Sequence, residues 1–155
     1  MFSLKDKIIL VTGSTGYLGR AISEGLAKMG AKVYINGRTE SSVNETVDSL
    51  IKKGYQAKPA IFDITDYKQV EIFFSNFEED VIDVLLINAY NGKGGTTNTS
   101  SMQDFRDSYE ISMIATHNLF QNSLPYLQSA KNRNGDASVI NIASMYGMVS
   151  PDISI

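Results

Sequence analysis

Residues 7 to 20, KIILVTGSTGYLGR, decide the fold. Four consecutive apolar residues, Ile8, Ile9, Leu10 and Val11, stop at Thr12, and glycines follow at positions 13, 16 and 19. An apolar run of this length bounded by glycine suits a strand covered on both faces. Gly13 can take a tight turn at positive φ, Gly16 has no Cβ to hold a phosphate away from the backbone, and Gly19 lets a new helix pack closely on the strand. The free N–H groups of that helix start then face an anion. With a strand before the glycines and a helix after them, the spacing is a dinucleotide-binding fingerprint.

The 155 residues suit one domain with one core, and 43% hydrophobic against 20% charged residues is ordinary for a globular protein. A net charge of -3 and a pI near 5.1 provide no basic field, so no nucleic-acid partner is expected. There is no cysteine, and His117 is the single histidine, so neither a disulfide nor a metal site is expected. No apolar run reaches the length of a membrane span, and the cytoplasm is the expected compartment.

Outward from the fingerprint, Leu18, Ile22, Leu26 and Met29 recur at helical spacing, with Gly30 placed as a C-terminal cap. A second strand is predicted over Lys32 to Asn36, then a helix opened by a Ser42 to Glu45 capping box and ended by Gly54. Gln56 to Phe62 predicts a third strand, and Asp66 with Gln69 a third capped helix carrying Val70, Phe73, Phe74 and Phe77. Val81 to Ala89 predicts a buried fourth strand, and the polar residues 91 to 101 a mobile, substrate-side loop. A long helix starts near Met102, with Phe105, Tyr109, Met113, Thr116, Leu119, Phe120, Leu124 and Leu127 on one apolar face. Asn134-Gly135 then turns into a fifth strand, Ser138 to Ala143.

Alternating strands and helices with right-handed crossovers predict an α/β fold, a doubly wound parallel sheet of order 3-2-1-4-5. Ligand is expected outside the carboxyl ends of the strands, where the order reverses between strands 1 and 4. Thr12, Asp63, Asn88 and Ser144 all fall at or just past strand ends on that edge.

TGSTGYLG at 12 to 19, NGR at 36 to 38, FDITD at 62 to 66, INA at 87 to 89, LP at 124 and 125 and VINIAS at 139 to 144 follow one another in a familiar order. In these motifs the chain resembles the short-chain dehydrogenase/reductase family, whose cofactor domain is of the Rossmann type, across essentially its whole length. The resemblance implies that Thr12, Gly13, Ser14, Gly16, Tyr17, Leu18 and Gly19 surround a pyrophosphate. It also implies that Asp63 and Ile64 meet the adenine and that Asn88 and Ala89 lie along a ribose. An acid ending strand 2 would repel a 2′-phosphate, and here no carboxylate appears before Glu40. Arg38 either forms a charge-assisted fork to that phosphate or is a solvated surface arginine, and NADP(H) is favoured over NAD(H).

The family's chemistry is hydride transfer between nicotinamide and a carbonyl or alcohol, with a tyrosine as acid/base, a lysine beside it and a serine polarising the oxygen. Ser144, in a Ser-x-x-Gly pattern with Gly147, matches the serine, and Ser112 stands where many members carry an active-site asparagine. The Tyr-x-x-x-Lys pair does not occur: no tyrosine is followed by lysine four residues later, and Tyr146 lies too close to Ser144 for the role, although it could line the pocket.

Three readings follow. The chain is expected to be the cofactor-binding, C-terminally incomplete part of a longer oxidoreductase acting on a small molecule and inactive alone. The alternatives are a non-catalytic dinucleotide-binding module and a fragment of an extended-branch nucleotide-sugar epimerase or dehydratase. The TG-x-x-G-x-x-G spacing is typical of that extended branch, whereas INA, LP and the Arg38 region resemble the shorter one, which is favoured, with sugar-modifying members as the expected subgroup. Several hundred Å² of uncovered apolar surface forgoes roughly 10 kcal/mol at ~25 cal/mol/Å², so a covering partner is expected. By resemblance, a homo-oligomer through the 102 to 127 helix is expected, the alternative being that its apolar face is uncovered core.

Overall fold

A computed structural model describes residues 3–92 and 98–144. Strands β1 (Ile8–Val11), β2 (Lys32–Gly37), β3 (Gln56–Ile61), β4 (Val84–Ile87) and β5 (Ser138–Asn141) form one sheet, all parallel, in the order β3-β2-β1-β4-β5. This is the Rossmann-type doubly wound order predicted from the alternation of apolar periods. The helices are α1 (Tyr17–Lys28), α2 (Glu40–Lys52), α3 (Tyr67–Ser75), α4 (Met102–Tyr109) and α5 (Ala115–Asn134).

Successive strand residues point to opposite faces, and the register turns that alternation into two cores. Ile9 pairs with Val33 and Val84, and Val11 with Ile35 and Leu86. Ile9, Val11, Val33, Ile35 and Leu86 pack with Ala27 of α1 and with Val43, Val47 and Leu50 of α2. On the other face Leu10, Tyr34, Leu85 and Ile87 meet Val70 and Phe74 of α3 and Leu119 and Leu127 of α5. β1, central and covered on both sides, has Ile9, Leu10 and Val11 wholly buried.

Three local expectations are corrected. α2 starts at Glu40 with Thr39 as its N-cap, so Ser42 and Glu45 lie within the helix instead of capping it. There the Ser42 carbonyl accepts from the Thr46 hydroxyl at 2.8 Å, and Glu45 reaches sideways to Arg20 of α1 at 3.4 Å. The β4 ladder is shorter than predicted, since Val81 and Ile82 are buried ahead of it and the Asn88 and Ala89 N–H groups go to the Thr12 hydroxyl beyond it.

The long helix is also not continuous. A π-turn, Glu110–Ile114, separates α4 from α5 and shifts the helical phase with its extra residue. Ile111, Ala115 and Leu119 therefore reach the core, while Phe105, Tyr109 and Met113, predicted on the same face, are exposed. The Asp66 cap forms as predicted, its carboxylate accepting from the Gln69 N–H at 3.1 Å. α4 has an unpredicted capping box between Ser101 and Asp104.

Candidate active-site cleft

A cleft of about 600 Å³ opens at the carboxyl ends of β1, β2 and β4, where the strand order reverses. Its floor is built by side chains that lock the strand ends together. Thr12 is wholly buried, and its Oγ1 accepts the N–H groups of Asn88 and Ala89 at 3.0 and 3.1 Å. The Asn88 amide returns two bonds, at 3.2 Å each, to the carbonyls of Thr12 and Gly13. Ser14 is also fully buried: its hydroxyl donates to the Val11 carbonyl and accepts the Asn36 N–H at 2.9 Å. Thr12 and Ser14 therefore shape the turn from below and do not line the cleft surface.

The glycines separate into two kinds. Gly13 has φ +63°, and a Cβ there would sit 2.8 Å from the Ala89 Cα. At Gly19 a Cβ would lie 2.2 Å from the Gly13 carbonyl oxygen. Both are required by the packing of the protein itself. A Cβ on Gly16 would meet just that same oxygen at an ordinary 3.5 Å, so the fold makes no demand for glycine there. The space beside Gly16 opens onto the cleft.

Gly16 is also the N-cap of α1, with no side-chain bond to the first turn and no acid within it. A helix start leaves its first N–H groups without intrahelical partners and carries a partial positive charge. Together, the space beside Gly16 and this unneutralised helix start fit the pyrophosphate of a dinucleotide. Tyr17, 97% exposed, and Leu18 line the rim beside it.

Arg38, Asp63, Ile64, Asn88 and Ala89 all line the same cleft. Arg38 Nη1 lies 3.7 Å from Asp63 Oδ2. Asp63 Oδ1 accepts from the N–H and hydroxyl of Thr65 at 2.9 and 2.7 Å. Ser112 and Ser144 are exposed and are not among the described residues lining the cleft: Ser112 lies in the π-turn and Ser144 past the end of β5. Tyr146, Gly147 and residues 93–97 of the polar loop lie outside the described residues.

Two features were not anticipated. Asn36, 2% exposed, donates to the carbonyls of Ala60 and Phe62 at 2.9 and 3.0 Å and so ties β2 to the end of β3. Its signal was an amide in an otherwise apolar strand, which must find partners when buried. The far wall is acidic, because Asp104, Asp107 and Glu110 share one side of α4 and the π-turn. Glu110 accepts the Tyr67 phenol, a bond that raises the Tyr67 pKa above its ordinary value. Only the approach of α4 to the sheet edge brings these acids to the cleft.

Fold and cleft together define a doubly wound α/β protein with an open cleft where the strand order reverses. The family model for short chain dehydrogenases matches residues 7–154, and the chain belongs to that family of oxidoreductases. It is 30% identical over 154 residues to a 5-keto-D-gluconate 5-reductase of Escherichia coli strain K12, covering 98% of this chain and 59% of that protein. Among solved structures, a 7α-hydroxysteroid dehydrogenase complexed with NADH and 7-oxo glycochenodeoxycholic acid superposes with a TM-score of 0.84 at 26% identity, over 97% of this chain and 60% of that one. A Pseudomonas aeruginosa RhlG/NADP complex gives 0.85 at 28% identity, over 97% and 59%. The chain thus spans about 60% of the length of these relatives. No helix among the described residues is long and apolar enough to cross a membrane.

Proposed function

We propose that this chain is the cofactor-holding part of an NADP(H)-dependent short-chain oxidoreductase acting on the carbonyl or alcohol of a small molecule. The observation that carries this reading is the start of α1, uncapped, free of acids and facing the cleft beside a glycine the fold does not need. Its N–H groups hold the pyrophosphate, Asp63 and Ile64 border the adenine, and Asn88 and Ala89 border a ribose. The bound dinucleotide supplies or accepts the hydride. Ser144 polarises the substrate oxygen, and Ser112 stands at the family's asparagine position in the sequence. No Tyr-x-x-x-Lys pair occurs in these 155 residues, so by themselves they bind without turning over.

The 2′-phosphate preference rests on the end of β2. A Cβ on Gly37 would press within 2.9 Å of Val43 Cγ2 and 3.0 Å of Thr15 Cγ2, so an acid there would have to displace both. Arg38, 61% exposed, follows it at the cleft rim. A guanidinium matches a phosphate with two parallel N–H bonds, which a hydroxyl cannot reciprocate.

Calorimetric titration with NADP⁺ and NAD⁺ tests the reading. NADP⁺ is expected to bind more tightly, and Arg38→Ala to weaken NADP⁺ by about tenfold while leaving NAD⁺ nearly unchanged, the scale of one lost charge-assisted contact. Failure of both cofactors to bind would sink the proposal. The glycine spacing supports a second reading, an extended-branch enzyme, and binding of a nucleotide sugar would select it. Met102, Phe105, Tyr109 and Met113, each more than half exposed, support a homo-oligomer formed through the 102–127 region, which sedimentation tests.

A further inference from the structure

The charges around the cleft are unevenly matched for an anionic ligand. Among the described residues lining it, Arg38 is the single base, facing Asp63, Asp104, Asp107 and Glu110. Of these acids, Asp63 lies against Arg38, with Oδ2 3.7 Å from Nη1. The two partners differ in freedom. The Asp63 carboxylate is anchored at Oδ1 by the Thr65 N–H and hydroxyl, and its own N–H donates to Gln69 Oε1 at 3.0 Å. Arg38 is 61% exposed on a long flexible stem, whereas the Asp63 side chain is 28% exposed. An anchored carboxylate therefore sits beside an exposed guanidinium at the place where a 2′-phosphate would have to recruit it.

We infer that Asp63 is a specificity-determining residue that works against Arg38. Its carboxylate competes with the 2′-phosphate for the guanidinium and holds the NADP(H) preference below what Arg38 alone would confer. This rests on the dinucleotide reading of the cleft. A phosphate reaching Arg38 must displace the carboxylate and then remain beside its charge. Both side chains are in contact with water, which limits the penalty to the range of exposed ion pairs, about fivefold in affinity or less. Asparagine at position 63 keeps the shape and an acceptor for Thr65 while removing the charge.

The test is calorimetric titration of the 155-residue chain with adenosine 2′,5′-bisphosphate and with 5′-AMP. Asp63→Asn is expected to raise the ratio of bisphosphate to 5′-AMP affinity by about threefold to fivefold, the adenine contact being common to both probes, with the gain in ratio shrinking at high salt. Asp63→Ser, which also keeps an acceptor, should reproduce the gain. In an Arg38→Ala background the gain should disappear, because the competition needs the guanidinium. An equal change for both probes, or a gain that survives without Arg38, would overturn the inference. Wild-type binding that Asp63→Asn leaves unaltered would overturn it alone, whereas failure of both probes to bind the wild type would overturn it together with the dinucleotide reading.

Discussion

At the amino ends of the strands, Asp83 is 3% exposed and accepts from Lys7 Nζ at 2.9 Å, the Ile8 N–H at 2.8 Å and Asn134 Nδ2 at 2.6 Å. Beside it, Glu79 takes Lys32 Nζ at 2.9 Å and the Tyr34 hydroxyl at 2.8 Å. At the carboxyl ends, by contrast, α1 begins without a side-chain cap, Gly16 leaves an open space, and Arg38 is tied only by a 3.7 Å pair among its described contacts. Both edges belong to the same five strands. Where polar groups close on one another they stabilise the fold, and where the protein leaves donors unmatched a ligand can complete them.

The strongest way to break this division is at the closed edge. Asp83→Ala takes the shared acceptor from the part-buried Ile8 N–H, Lys7 and Asn134 and leaves a cavity where the carboxylate was, and unfolding in denaturant should show a loss of about 3 kcal/mol. Nucleotide affinity of the folded fraction should not change. A comparable loss, about 3 kcal/mol, is expected for Gly19→Ala, since its Cβ would overlap the Gly13 carbonyl. Gly16→Ala sharpens the contrast. Its backbone, φ −78° and ψ 170°, suits any residue, so stability should fall by less than about 1 kcal/mol while dinucleotide affinity drops at least tenfold. Smallest is Ser101→Ala, which removes the capping box of α4 for about 1 kcal/mol in the same denaturant experiment and leaves nucleotide binding intact.

The closed edge also predicts a pH profile. For Asp83, burial pushes the pKa up, but the Ile8 N–H, Lys7 and Asn134 outweigh it and the net shift is downward. Glu79 behaves alike, burial being outweighed by Lys32 and Tyr34. A carboxylate whose folded pKa lies below its unfolded value of about 4 contributes its full stability above that pH and loses it as pH falls through the folded value. Burial, with the Glu79 bond, raises the Tyr34 pKa, so its contribution is lost on the alkaline side, above about pH 10. Thermal melting should therefore drop below pH 4, and Asp83→Asn should flatten the acid limb. An unaltered acid limb in that variant would show that Asp83 is not the group responsible.

Much of this architecture was legible in residue order. The apolar runs at 8–11 and 84–87 and the helical periods between them led to the sheet order, because each run can bury itself only between layers of helix. The glycine cradle, Arg38 and Asp63 were legible too, since backbone geometry and charge belong to the residue types. Other features were not. The start of α2 moved to Glu40, behind an extended Thr39 whose side chain makes no capping bond that the sequence could have signalled. The π-turn changed which side of the long helix is buried, and no residue type announces an extra residue per turn. The separate roles of Gly13 and Gly19 against Gly16 follow the sequence reading, and the structure adds how close Ala89 and the Gly13 carbonyl come.

The pairing of Arg38 with Asp63, and the acids that α4 adds to the cleft, arise between segments far apart in the chain. By itself the sequence determined the α/β sheet, the edge that carries the cleft and the family's motifs, because periodicity and glycine spacing act locally. Only the tertiary structure decided which donors are consumed within the protein and which face the cleft, because that depends on distances between strands the sequence does not place.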